Sequence, residues 1–302
     1  MVIFSRLGKK GNLGNQLFQI ASTIGIAERH KKSFGFPQWK YATYFAKALP
    51  SYDENLPYQP VTEKEYKTNS ITAEYIDYDL SDWFQSENYF NREKLVVKHY
   101  LKFNEEFYKN LKIKNQLLFS KRSVLISVRR GDFVNHPHYY QLSYRYYILA
   151  LLHNFPDYQK RNLIFTSDDI NYCKTHFSHF KNAYFVQEEA IKQLVLGTMC
   201  DDFIISNSTF SWWQAWLGEK DKSKIIRPVK NYRGKFSKKN NDKDFFPKRW
   251  ECFNHTYRLL PITYLPIVIN AESERIKNYI HYNFSHYKYK LGQLLRKKIN
   301  KI

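Results

Sequence analysis

A chain of 302 residues, 43% hydrophobic and 25% charged, is long enough for one large domain or two compact ones and too apolar for a disordered segment. Its formal charge of +20 asks for anionic company, whether nucleic acid, a membrane surface or phosphorylated substrates, without choosing among them. Cys173, Cys200 and Cys252 form no C-x-x-C pair, the N-terminus lacks a signal-peptide core and no 18-residue apolar run occurs, which argues against a zinc ribbon, a disulfide framework or a bilayer span and suits a cytoplasmic protein.

The first strand is expected over residues 2–7, followed by a loop carrying Gly8, Gly11 and Gly14 and a helix over 15–30. Strand, glycine loop and helix in that order open a nucleotide-type α/β unit. Residues 36–70, rich in Pro and Tyr with weak periodicity, read as irregular surface structure, and 92–116 reads as a helix on the spacing of Leu95, Tyr100, Phe103, Phe107 and Leu111. Three short apolar runs then recur at 124–128, 163–166 and 203–205. Helical stretches at 144–153, 170–177 and 210–217 alternate with them, the pattern of a parallel sheet covered on both faces. The last stretch, 275–302, carries Lys and Arg but no acid, with apolar residues at three- and four-residue steps, and reads as a basic amphipathic helix suited to an anionic membrane surface or to packing on the protein's own body.

Each apolar run ends in a polar cluster: Arg129-Arg130-Gly131-Asp132, then Ser167-Asp168-Asp169, then Ser206-Asn207-Ser208-Thr209. Ligands of open α/β sheets bind at this carboxyl edge. Paired arginines offer fork-shaped, charge-assisted bonds to a diphosphate; the alternative is a solvated turn in which one arginine pairs with Asp132. Ser208 and Thr209, with free amides at a helix start, either hold a phosphate or cap the helix. Trp212, Trp213 and Trp216 read as core. Asp168 and Asp169 suit a ribose, a base or a metal, or cap the next helix; the histidines show no metal-ligand spacing. The glycine loop fits neither a P-loop nor G-x-G-x-x-G, so neither an ATPase site nor a dinucleotide cofactor is expected.

Taken together, the segments resemble the bacterial α-1,2-fucosyltransferases of glycosyltransferase family 11. Gly11-Asn12-Leu13-Gly14-Asn15-Gln16-Leu17-Phe18-Gln19 is similar to that family's opening G-x-L-G-N-Q-x-F-Q, and Phe84-Gln85-Ser86-Glu87-Asn88-Tyr89-Phe90 to its Q-S-E-x-Y-F stretch. Ser127-Val128-Arg129-Arg130-Gly131-Asp132 resembles the H-x-R-R-x-D motif of GDP-fucose enzymes, with Ser127 at the histidine position. Phe165-Thr166-Ser167-Asp168-Asp169, the block from Asn207 through Trp213, and Phe246-Pro247-Lys248-Arg249-Trp250 complete an ordered match over roughly residues 1–255.

The resemblance implies a GT-B-like α/β fold with two facing Rossmann-type halves: 1–120 on the acceptor side, 121–260 holding the donor, and 261–302 as the basic helical tail. It implies inverting transfer of L-fucose from GDP-fucose, a co-substrate, to a glycan hydroxyl, the 2-OH of a terminal galactose on an oligosaccharide or lipid-linked acceptor, with no required cofactor or metal. Arg129 would grip the β-phosphate with Arg130 beside it; Asn207, Ser208, Thr209 and Phe210 would contact the diphosphate; Asp168 or Asp169 and Ser127 would lie near the nucleoside; Gly14 and Asn15 would reach across the cleft. Asp132 and Glu87 are the candidate bases. The alternatives are a transferase of another GDP-sugar and a basic nucleic-acid-binding protein. Against the second stands the absence of any recognition motif, with the basic excess densest in the tail.

Overall fold

A computed structural model describes residues 1–63, 77–273 and 276. The basic amphipathic stretch expected over 275–302 lies outside the described residues, Ile276 aside. Residues 1–256 form one compact unit and residues 257–302 a second. Within the second, a 3-10 turn over Ile262–Tyr264 precedes helical residues 265–273.

The first unit starts with β1 (Val2–Ile3), α1 (Leu13–Arg29), β2 (Phe34–Gly35), β3 (Gln59–Val61) and β4 (Tyr78–Leu80). These strands pair in parallel in the order β2-β1-β4-β3. β1 is shorter than the run from Val2 to Leu7 suggests, because Leu7 donates to the Phe4 carbonyl and turns the chain into the glycine loop. The helix expected over 92–116 is two helices, α2 (Lys94–Tyr100) and α3 (Glu105–Lys114). Asn104 breaks it: its side chain accepts from the Phe107 amide at 3.1 Å, and Glu105 and Glu106 follow in the first turn, a strong helix start.

A six-stranded parallel sheet follows: β5 (Ser123–Val128), α4 (Tyr144–Asn154), β6 (Asn162–Ser167), α5 (Ile170–Phe177), β7 (Ala183–Val186), α6 (Ala190–Thr198), β8 (Asp202–Ile205), α7 (Thr209–Gly218), β9 (Ile225–Pro228), α8 (Gly234–Lys239) and β10 (Glu251–Phe253). The order β10-β9-β8-β5-β6-β7 means the chain winds outward from β5 through β6 to β7, then returns to β8 on the other side. Strand order therefore reverses between β5 and β8, the place where α/β sheets open a crevice. Ser127 lies in register with both Thr166 and Ile205, so the three polar clusters emerge side by side at one edge.

The halves share one aromatic core. α1 is buried on nearly all sides and packs against α7, with Phe18 4.5 Å from Trp212 and 5.1 Å from Trp213, ring centre to ring centre. Phe90 stacks on Trp213 at 5.9 Å. The three tryptophans of α7 are at most 1% exposed, so they are core and not a sugar platform.

Candidate active site

A cavity of about 850 Å³ opens at the carboxyl edge between β5 and β8. It is lined from one side by the glycine loop and the start of α1, and from the other by the ends of β5 and β6 and the start of α7. Two helix N-termini thus converge on one space, and each brings a partial positive charge and unbonded amides. Ser208 caps α7 through the Phe210 amide at 3.1 Å, while Asn12 at the head of α1 makes no side-chain cap bond. The helices touch here: Asn15 Oδ1 accepts from Thr209 Oγ1 at 2.8 Å and from Gln85 Nε2 at 3.0 Å.

Arg129 enters the same space. Its guanidinium pairs with Asp132 and, at 2.9 Å, with Asp168 Oδ2, while its Nε is buried without a hydrogen-bond partner among the described residues. Asp168 Oδ1 also accepts the Arg130 amide at 2.9 Å, pinning the turn to the end of β6. One arginine does pair with Asp132, and the same arginine lines the cavity. A half-buried guanidinium whose Nε has no partner among the described residues, set beside two helix N-termini, suits a diphosphate better than any neutral ligand.

Of the residues singled out from the sequence, the structure brings Gly14, Asn15, Ser127, Arg129, Asp132, Asp168, Asn207, Ser208, Thr209 and Phe210 to the cavity wall. Three others lie elsewhere. The Arg130 guanidinium stacks over the Tyr172 ring at 4.0 Å, and Asp169 caps α5 by accepting from the Tyr172 amide at 3.0 Å. Glu87 is the clearest correction as a candidate base, because its carboxylate accepts from Trp216 Nε1 at 2.7 Å and pairs with Arg249 at 2.6 Å. Arg249 also binds Glu219, which takes Trp250 Nε1 at 3.3 Å. Glu87 is a clamp between chain-distant segments. Asn207 lines the cavity, yet its amide is spent on the Tyr140 and Asn231 carbonyls.

The other motif residues have structural duties. Gln16 donates to the Gly11 carbonyl at 2.8 Å and Gln19 to the Lys10 carbonyl at 3.1 Å, so the two glutamines of α1 hold the glycine loop in shape. Gly11 sits at φ +78°, which glycine tolerates best. Ser127 is 2% exposed, and its hydroxyl bonds Gln214 Oε1 at 2.6 Å and Ser211 Oγ at 2.8 Å; Ser127, Thr166 and Ser211 line the cavity, with the buried Ser206 bonded to Ser211 beneath them. Sequence reading missed Lys40, Tyr41, Trp83, Tyr139, Tyr232 and Phe236 on the walls. Only Trp83, one residue before the Phe84-Gln85-Ser86 block, lay near a recognisable signal.

Behind the wall, Glu63 accepts from the Phe84 amide at 3.2 Å and from the Tyr89 hydroxyl at 3.0 Å. Burial pushes its carboxyl up to about 7, against the pull of those two donors, with Asp82 and Asp244 adding to the rise. A folded-state pKa above the unfolded one means the folded protein holds the proton more tightly. The stability this group contributes is therefore complete below the unfolded carboxylate range and is lost as pH rises through about 7. Glu63→Gln is expected to melt above the wild type at pH 8 and to lose that advantage by pH 4.5; melting curves at the two pH values check it, and an advantage constant with pH would contradict it.

Two parallel sheets with a strand-end cavity at their junction are the architecture of a GT-B-like glycosyltransferase. A family model described as Glycosyl transferase family 11 matches residues 9–254, and the chain belongs to that family. It is similar to the O-antigen biosynthesis glycosyltransferase WbnK of Escherichia coli, 24% identical over 62% of this chain and 68% of that one. It is also similar to the α-1,2-colitosyltransferase of Escherichia coli, 23% identical over 82% of this chain and 98% of that one. Among solved structures it resembles FUT1 of Arabidopsis thaliana in complex with GDP (TM-score 0.51, 12% identity, 75% of this chain and 70% of that one). The selenomethionine form of the fucosyltransferase NodZ from Bradyrhizobium is comparable (TM-score 0.50, 14% identity, 72% and 91%). Among the described residues, no helix is long and apolar enough to cross a membrane.

Proposed function

We propose that this protein transfers L-fucose from GDP-fucose to a glycan hydroxyl, with inversion at the anomeric carbon and the 2-OH of a terminal galactose as the acceptor position. The observation that carries the reading is the convergence of Arg129 with the N-termini of α1 and α7 on one cavity. As the acceptor oxygen bonds to the anomeric carbon, the bond to the β-phosphate breaks and negative charge grows on the departing GDP. Fixed positive groups aimed at that charge stabilise the transition state more than the ground state. Asp132 is the candidate base for the acceptor proton: it lines the cavity and loses its partner when the Arg129 guanidinium turns to the phosphate. The likeness to the α-1,2-colitosyltransferase over 98% of that chain favours one second reading, in which colitose replaces fucose on the same nucleotide. Parallel assays with the two donors separate the readings, and transfer from neither would sink both.

In this reading Arg129 and the helix amides neutralise the diphosphate, a task that other transferases give to a divalent cation. Transfer is therefore expected to persist at its full rate in excess EDTA. Complete loss on chelation, restored by Mg²⁺ or Mn²⁺, would show that Asp168 and Asp132 serve a cation instead.

A further inference from the structure

With the diphosphate assigned to Arg129 and the α7 N-terminus, and Ser127 and Asp168 placed near the nucleoside by the family resemblance, the wall on the glycine-loop side still lacks a role. It comes from the first sheet's connections and carries two aromatic rings, Trp83 and Tyr41. Each is fixed from behind. The Lys10 ammonium sits 4.4 Å from the centre of the Trp83 ring and is itself tied to the Ser81 carbonyl at 3.2 Å and to Asp82 at 3.3 Å. Tyr41 meets Trp39 edge-on at 5.6 Å, and Trp39 Nε1 donates to Gln16 of α1 at 2.8 Å. Phe84, at φ +49°, takes its own ring into the core and leaves Trp83 and Gln85 together on the cavity wall.

A ring held on one side by a cation and facing a cavity on another is pre-organised for stacking, and its conformational cost is met before the ligand arrives. The acceptor must reach the sugar carbon from the side opposite the departing phosphate. We propose that Trp83, with Tyr41, is the platform on which the acceptor sugar stacks, the galactoside of the proposed function offering a flat patch of C–H groups to an indole. The inference rests on the GDP-sugar reading of the site.

The test measures the affinity for GDP by calorimetry, and the acceptor KM with methyl β-galactoside, for the wild type, Trp83→Ala and Trp83→Phe. The apolar area covered by one stacked ring is worth about tenfold in affinity. Trp83→Ala is expected to raise the acceptor KM about tenfold with kcat little changed, because a stacking contact serves ground and transition states alike. GDP affinity should stay within about twofold, and Trp83→Phe should recover most of the loss. An unchanged acceptor KM, or GDP affinity falling in step with it, would overturn the platform. GDP-fucose turnover with no galactoside accepted would overturn both the galactoside acceptor and the platform argued for it. A wild type that does not bind GDP at all would instead overturn the donor reading, so the two failures look different.

Discussion

Arg129→Ala is expected to leave a folded protein whose sugar transfer falls about 10²-fold or more. A charge-assisted hydrogen bond is worth about 1.5–3 kcal/mol, and one that tightens on a departing phosphate acts mainly in the transition state. Truncation does more than remove it, because Asp132 and Asp168 now face the diphosphate without their shared counter-ion. Arg129→Lys should recover only part of the loss, since an ammonium cannot serve two carboxylates and a phosphate with a planar fork. Stability should change little. The Arg130 amide still anchors the turn on Asp168, and the side chain lost from position 129 leaves no buried acid behind. Initial rates with saturating donor, beside a melting curve, check this; near-normal turnover in a folded Arg129→Ala protein would move the phosphate site elsewhere.

Gly14→Ala is expected to damage the site from the other side. A Cβ there would lie 2.5 Å from the Phe210 amide nitrogen and 2.7 Å from the Thr209 carbonyl carbon, both backbone atoms that cannot swing away. α1 and α7 would have to part, which overpacking data put at about 1–3 kcal/mol. The movement falls on the two helix starts proposed to hold the diphosphate, so GDP affinity should drop about tenfold or more along with the melting temperature. Gly25→Ala supplies the contrast, because a Cβ there meets the Tyr89 carbonyl and Phe90 at the far end of α1. It should lower stability while leaving GDP affinity nearly intact. If both variants lost affinity equally, the helix junction would have no special part in binding.

These two positions also show what the sequence could and could not reveal. The three strand-end clusters were visible as apolar runs ending in polar turns, and register then sets them side by side, as Ser127 opposite Thr166 and Ile205 shows. What pattern could not supply was direction. Arg129 and Arg130 are adjacent, yet one points at the cavity and the other lies over Tyr172. Glu87 reads as a candidate base in the sequence, yet Arg249 and Trp216, distant along the chain, occupy its carboxylate. The wall made by Tyr41 and Trp83 was invisible because its rings come from connections without periodicity, and only the tertiary fold brings them to the glycine loop. The split of α2 from α3 at Asn104 was legible in principle, since Asn-Glu-Glu is a capping sequence set inside an otherwise helical pattern.

The most direct test of a GDP-sugar site on Arg129 and the two helix starts is a calorimetric titration of the wild type and Arg129→Ala with GDP, UDP and ADP. The wild type is expected to bind GDP at least tenfold more tightly than UDP or ADP, and Arg129→Ala to lose about tenfold or more of that affinity, in keeping with a lost charge-assisted contact. GDP and UDP bound equally well by the wild type, or GDP bound as tightly after the substitution as before, would contradict it.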